Sequence, residues 1–265
     1  ICADLDVEVA AFRDRALAKY PAERIRKFAV KRGEGEIEIS RESTNEADGT
    51  PWVISRPLPN ARADQAVVKD FLNMITGAKL TGFAPTTGSG TALPAGQILA
   101  EVTLWPDGAY DRKGITLTFF PDPDPASKEA ICRDRERKVE FKVDRELVDS
   151  IALADSPNTF RDRQLGNIDP AKVATLEVEV VNGDSVGIYR VGDHWAVRKK
   201  GTEEFQAASG DVVDKLIKAL NAAEILEFTS DSLMDKAMYG LDQPALTLTF
   251  ATGKHAGLKK LAPLT

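Results

Sequence analysis

The sequence predicts an α+β fold of two repeated units, each a mainly antiparallel sheet (a strand meander plus further strands) with one main amphipathic helix. Three observations predict it. Phe12-Arg13-Asp14-Arg15-Ala16-Leu17 returns as Phe160-Arg161-Asp162-Arg163-Gln164-Leu165. Trp52 returns as Trp195, and the stretch from Ala63 to Phe83 returns from Ala208 to Phe228, in the same order. Within each copy, short β-branched runs that alternate in polarity precede one stripe of apolar residues at helical spacing. The implied division is 1–157 for the first unit and 158–265 for the second. Residues 1–11 read as the tail of a preceding unit. The second unit stops short of the elements that close the first, so the chain reads as a fragment of a longer repeat-containing protein.

The second unit is the cleaner of the two. Asp169-Pro170 is a turn signal. Val173 to Val181 is rich in β-branched residues, with Leu176, Val178 and Val180 on one face, which predicts a strand. Asn182-Gly183-Asp184 is a hairpin turn, because Asn and Gly tolerate positive φ. Ser185 to Val191 is the return strand, and His194 to Lys199, with Trp195, is the third. Ser209 and Asp211 open a helix with the stripe Val212, Val213, Leu216, Ile217, Leu220 and Ala223. Glu224 to Phe228 is a short strand. Tyr239 to Pro244 is a turn, and Leu246, Leu248 and Phe250 alternate with threonines in a last strand.

The first unit follows the same plan. Ile25–Val30, Glu36–Arg41 and Trp52–Ile54 are its meander, with an acidic loop from Glu42 to Thr50 that lengthens the second turn. Asp64 caps a helix with the stripe Val67, Val68, Phe71, Leu72, Ile75 and Ala78. Beyond it come a Gly/Ser/Thr/Pro loop from Pro85 to Gly96, then strands at Ile98–Leu104, Ile115–Phe120 and Lys138–Val143. A short helix through Leu147 and Ile151 ends the unit.

Composition bounds the function. The chain has 265 residues, is 43% hydrophobic and 29% charged, and carries a net charge of −6. That is globular material without a basic patch, which speaks against a nucleic-acid partner. No apolar run reaches the length of a membrane span. Cys2 and Cys132 permit one disulfide in an oxidising compartment or stand as two independent thiols.

The residues that invite a chemical reading each have a structural one beside it. Arg13-Asp14-Arg15 and Arg161-Asp162-Arg163 form either paired anion-binding guanidinium forks or local ion pairs beside a core-plugging Phe. Duplication favours the second. Trp52 and Trp195 read as core or sheet cover rather than sugar platforms. Trp105, at a strand end, reads as exposed. Thr86 to Thr91 has the residues of a phosphate cradle but lacks the Lys and the strand-to-helix context, and reads as a connector. His194 and His255 have no metal-ligand spacing around them. In Tyr239–Pro244, Gly240 takes a backbone conformation closed to other residues and Pro244 opens a strand. Phe12, Asp14, Trp52, Phe160, Asp162, Trp195, Gly240 and Pro244 are therefore assigned as structural motif residues. No catalytic residue, metal ligand or cofactor is assigned.

The Phe-Arg-Asp-Arg starts, the strand tryptophans, the Asp or Ser helix starts and the Tyr239-Gly240-Leu241-Asp242-Gln243-Pro244 turn together resemble the bacterial family called domain of unknown function 4340, in two copies. The first unit departs from it by lacking the Tyr-Gly-Leu-Asp-x-Pro turn. The resemblance implies a membrane-anchored envelope protein on the periplasmic face, in some members accompanying ABC-transporter components of the gliding-motility auxiliary type. It implies no catalytic residue. The expected function is a non-enzymatic interaction or scaffolding module with a protein partner in the envelope. The alternative is a module that binds envelope glycan or peptide in a cleft between the units, and a carboxylate-based hydrolase comes last. Contact with the membrane is expected only through a segment outside this chain.

Overall fold

The chain divides into two compact units, residues 1–162 and 163–265. The computed structural model describes residues 14–42, 50–83, 98–107, 114–137, 139–231 and 236–252.

Unit 1 is a nine-stranded antiparallel sheet with its helices packed on the core. The strands are β1 (Ile25–Arg32), β2 (Gly35–Ser40), β3 (Val53–Arg56), β4 (Ala61–Arg62), β5 (Gly82–Phe83), β6 (Ala100–Pro106), β7 (Ile115–Pro121), β8 (Glu129–Asp134) and β9 (Val139–Asp144). They lie in the order β4-β3-β2-β1-β6-β7-β8-β9-β5. The period-2 pattern makes them strands: in β6, Ala100, Val102 and Leu104 are buried while Glu101, Thr103 and Trp105 alternate on the other face. Gly33 turns the β1–β2 hairpin at φ +55°, a region that favours glycine.

Helix α1 (Gln65–Gly77) begins where the Asp64 carboxylate accepts the Ala66 and Val67 N–H groups, satisfying two donors that have no partner within the helix. Its stripe Val68, Phe71, Leu72 and Ile75 is buried, and Val67 is half-buried. Helix α2 (Arg145–Leu153) is capped by Asp144 and buries Val148 and Ile151. A single turn, α3 (Pro157–Phe160), ends the unit, with Ser156 as its cap.

An aromatic cluster centres this core. The Phe28 ring meets Trp52 at 5.8 Å, Phe71 at 5.3 Å and Phe160 at 5.7 Å, and Phe71 and Phe160 meet edge-on at 5.1 Å. Phe160 is fully buried. The residue that sequence similarity places at the start of the second unit is thus a core residue of the first. The division accordingly falls between Asp162 and Arg163, five residues beyond the expected boundary. Burial of the Phe160 ring draws its neighbours to the first unit's side.

Unit 2 is a five-stranded antiparallel sheet: β10 (Val173–Val180), β11 (Val186–Val191), β12 (His194–Lys199), β13 (Gln206–Ala208) and β14 (Leu246–Thr252). Their order is β13-β12-β11-β10-β14. Element by element it parallels β4-β3-β2-β1-β6, with helix α4 (Gly210–Ala222) following β13 as α1 follows β4. Asn182 takes φ +59° in the β10–β11 turn. The core is small: Val173, Leu176, Trp195, Val213 and Ile217, with half-buried neighbours such as Leu216 and Phe250 around it.

Several expectations change. Glu224 to Phe228 is not a strand; it contributes one bridge, Gln164 to Glu224, and Leu226 is 89% exposed. An alternating pattern makes a strand only where a neighbour offers a ladder. Of the α4 stripe, Val212 is 64% exposed, because no described residue covers that edge of the helix. The two- and three-residue strands β4, β5 and β13 are too short to register as a sequence period.

The Phe160 packing carries a prediction. Phe160→Ala should destabilise unit 1 by about 3–5 kcal/mol, as truncation of a fully buried aromatic does, read as a lower denaturation midpoint. A variant that unfolds like wild type would show that the cluster closes without this ring.

Candidate functional site

The Phe-Arg-Asp-Arg motif at 160–163 sits at a sheet edge. The Phe160 carbonyl accepts the Asp64 N–H at 2.8 Å, and the Asp162 N–H donates to the Arg62 carbonyl at 3.0 Å, around an antiparallel bridge of Ala63 with Arg161. The motif's first half thus forms one isolated bridge beside the end of β4, flanked by two backbone hydrogen bonds. Asp162 also pairs with Arg62 at 3.4 Å. Arg161 donates to the Asn158 amide oxygen at 3.3 Å.

The second half of the motif serves unit 2. The Leu165 N–H donates to Ala223 O at 2.8 Å and the Ile225 N–H to Arg163 O at 2.6 Å. Unit 1 has the same arrangement: the Leu17 N–H donates to Ala78 O at 3.0 Å and the Leu80 N–H to Arg15 O at 2.8 Å. The Asp14 carboxylate accepts the Ala16 N–H at 2.9 Å and shapes that entry. Phe12 lies outside the described residues, as do Cys2, His255 and the Thr86–Thr91 connector.

Both repeated tryptophans are buried, Trp52 at 6% exposure and Trp195 at 7%. Each lies under an arginine that the sequence reading missed. Arg41 sits 4.7 Å over the Trp52 ring, and Arg190 sits 4.6 Å over Trp195. Arg190 and Trp195 are cross-strand partners on β11 and β12. Arg41 and Trp52 flank the Ser40–Val53 pair of β2 and β3 in the same register. Each guanidinium then reaches the carbonyls that lead into the first strand of its meander. Arg41 donates to Glu23 O at 2.9 Å and Ile25 O at 3.1 Å; Arg190 donates to Pro170 O at 2.8 Å and Ala171 O at 3.3 Å. One planar cation covers a ring face and satisfies two buried-side acceptors, which a lysine cannot do. The available signal was an Arg near the end of the second strand of each meander.

Other charges are also tied inward. Asp134, 2% exposed, accepts the Glu136 and Arg137 N–H groups at 2.8 and 2.9 Å and pairs with the Arg137 guanidinium. That guanidinium also donates to the carbonyls of Ala16 and Leu17, which binds the entry segment to the β8–β9 turn. Lys142 donates to Glu129 at 2.7 Å. That bond, with one to Thr81, holds the Glu129 carboxyl below its ordinary value, and the same pairing pushes the Lys142 ammonium up. Cys132 is a buried free thiol, pushed up by burial.

Trp105 is half-buried rather than exposed. Lys27 lies 4.6 Å over its ring, and a Cβ at Gly114 would stand 2.7 Å from it, so glycine is required beneath the indole. Gly240 adopts φ +67°, as the turn requires, while exposed Pro244 stands two residues before β14. His194 is exposed.

Both units have shallow cavities. One in unit 1, about 360 Å³, is lined by Arg41, Trp52, Gln65, Lys69 and Asn73, and another, about 620 Å³, by Leu99, Phe120, Asp122, Glu129 and Arg145. That in unit 2, about 320 Å³, is lined by Glu177, Glu179, Tyr189, Arg198 and Lys200. Among the described residues, no three His, Cys, Asp or Glu side chains converge as for a metal ion, and no helix is long and apolar enough to cross a membrane.

Residues 138–256 match the model of a family described as a domain of unknown function (DUF4340). The segment runs from β9 of unit 1 through β14 of unit 2 and contains the Phe160 motif, the Arg190–Trp195 pair and the Gly240 turn. No curated protein and no solved structure matches the chain.

Two predictions follow from this geometry. Arg190→Lys, which keeps the charge but loses the planar stack and one carbonyl, should lower the stability of unit 2 by about 1–2 kcal/mol in denaturant titration. The Glu129–Lys142 pair should shape stability at both pH extremes. Because the Glu129 value is lowered on folding, its contribution is complete above its ordinary 4.5 and is lost as pH falls through the lower folded value. Because the Lys142 value is raised, its contribution is complete below its ordinary 10.5 and is lost as pH rises past the folded value. Glu129→Gln should flatten both limbs of the denaturation midpoint plotted against pH.

Proposed function

We propose that this chain is a non-enzymatic interaction module of a bacterial envelope protein, carrying two copies of the DUF4340-like domain. The observation that carries the reading is the backbone pairing of Phe160–Asp162 with Arg62–Asp64 beside β4, around one antiparallel bridge. A fold that pairs a short segment with one aromatic anchor beside its sheet already uses the chemistry of β-augmentation, a common mode of protein recognition. The shared strand order of β4-β3-β2-β1-β6 and β13-β12-β11-β10-β14 supports the two-copy assignment. The non-enzymatic reading is supported by where the ionisable groups go: Asp134, Arg137, Glu129 and Lys142 pair with one another or with backbone.

The envelope location and the association with transport or surface machinery rest on resemblance to the family. In the full-length protein the module is held on the periplasmic face by a membrane anchor outside this chain. A second reading, binding of glycan or peptide, is favoured by the unit 1 cavity, where Gln65, Lys69 and Asn73 offer polar groups beside Trp52.

Protease added to intact spheroplasts that express the full-length protein should digest these units. Protection that lasts until lysis would place them in the cytoplasm and overturn the envelope reading.

A further inference from the structure

We propose that the face of the unit 2 sheet opposite α4 binds a neutral saccharide, seated between Glu177 and Glu179 of β10 and Arg198 and Lys200 at the end of β12, with the Tyr189 ring as its apolar contact. The proposal goes beyond the interaction-module reading and does not depend on it.

The site begins with a glycine in the middle of a sheet. Gly187 lies on β11, the central strand of the order β13-β12-β11-β10-β14. Glycine weakens a strand interior and marks a bulge or a place where another group comes close to the backbone. Here that group is Tyr189, two residues on and therefore on the same face. A Cβ at Gly187 would stand 2.7 Å from the ring carbon that carries the Tyr189 hydroxyl. The phenol thus lies along the strand over the glycine, and any larger residue there would lift it. Leu176 and Ile188, on the opposite face, pack with Val213 and Ile217 of α4.

Register sets opposite charges on either side of the glycine. Gly187 pairs with Glu177 of β10 and with Arg198 of β12. Directly opposed residues share a face, so carboxylate, phenol and guanidinium form one row. The two charges do not meet. Arg198 donates to the Tyr189 hydroxyl at 3.3 Å and lies 5.0 Å from the centre of the Phe205 ring. Glu177 is exposed and makes no hydrogen bond or ion pair among the described residues. Beside this row, Lys200 donates to Glu179 at 2.6 Å. Together these groups line the unit 2 cavity of about 320 Å³. That is near the lower end of small-molecule sites, about 300 Å³.

The ligand class follows from charge and from what each group can bond. Two carboxylates and two cations line the cavity, so their charges cancel and neither an anion nor a cation is selected. A carboxylate only accepts hydrogen bonds, and a guanidinium or ammonium only donates them. A ligand that bridges the two sides must do both, and a hydroxyl does both through one oxygen. A saccharide carries hydroxyls around its rim and C–H groups on its ring faces, and the C–H groups suit the Tyr189 ring.

Unit 1 shows the same place with its polar groups paired to one another. By register, Glu38 stands where unit 2 has Gly187, and Ser40 and Ser55 stand where it has Tyr189 and Arg198. Glu38 pairs with Lys27 at 2.7 Å, and the two serine hydroxyls meet at 2.6 Å. Lys31 and Glu36 on that face are exposed although the unit 1 sheet has nine strands, so this face looks to solvent however many strands flank it. The arginine clamps and tryptophans are common to both units. The glycine, the phenol and the Glu177 carboxylate distinguish unit 2.

Amide NMR shifts of the full chain, titrated separately with maltotriose, cellotriose, mannotriose and triacetylchitotriose, test the proposal. At least one should bind, with the shifts centred on Gly187, Tyr189 and Arg198. Tyr189→Ala removes the apolar contact. Glu177→Gln removes an acceptor at an exposed position and keeps the side-chain shape, so it reads the site without disturbing the core. Each should weaken binding by at least about tenfold. No shift with any of these sugars at about 10 mM overturns the proposal. So does binding of anionic trigalacturonate alone, or binding that Glu177→Gln leaves unchanged. Shifts that gather instead on Lys69 and Asn73 also overturn it, and assign saccharide binding to the unit 1 cavity.

Discussion

The structure turns on the segment from Phe160 to Leu165: Phe160–Asp162 bond to the residues at the end of β4 in unit 1, and Arg163–Leu165 to the residues after α4 in unit 2. The ring of Phe160 is the reason. It is fully buried among Phe28, Phe71 and their neighbours, and a residue buried to that depth sets the position of the backbone on either side of it. The unit of sequence similarity and the unit of packing are therefore out of phase by about half a motif.

Magnitudes rank the remaining interactions. A buried aromatic ring in contact with two others outweighs any single polar contact in either unit, at a few kcal/mol against about one. The Arg41–Trp52 and Arg190–Trp195 stacks come next, because each combines a ring face with two hydrogen-bonded carbonyls. The exposed ion pairs, such as Lys199–Asp184 and Arg145–Asp149, contribute little individually, because solvent screens them. The scaffold is held by apolar centres and arginine clamps, and its surface charges are left for solvation and partners.

Much of this was legible in the sequence. The meanders, the Asp64-capped helix and the Gly240 turn followed from local rules, since each depends on residues within one element or one turn. The helix stripe of α1 was correct because its face meets the sheet; Val212 on α4 was misjudged because periodicity says which residues share a face, not whether anything covers it. Glu224–Phe228 alternates like a strand but finds a single bridge. Trp105 was read as exposed because its cover comes from Lys27 on a neighbouring strand and from the space that Gly114 leaves. The arginine clamps escaped for the same reason: Arg41 and Arg190 acquire meaning only through cross-strand register. The sequence similarity starts at Phe160, whereas packing assigns that ring to the core of unit 1, which local sequence rules do not register.

The central claim is that residues 160–162 are an integral part of unit 1, held by the Phe160 ring and two backbone hydrogen bonds. Native-state hydrogen exchange of the full chain tests it most directly at the Asp64 and Asp162 amides, the two donors of that pairing. The account predicts that both exchange as slowly as the amide of Phe28 in β1, by global unfolding of unit 1. Exchange at the rate of an exposed loop, with Phe28 still protected, would mean that the segment is a removable tether, and the account of how this chain is built would be wrong.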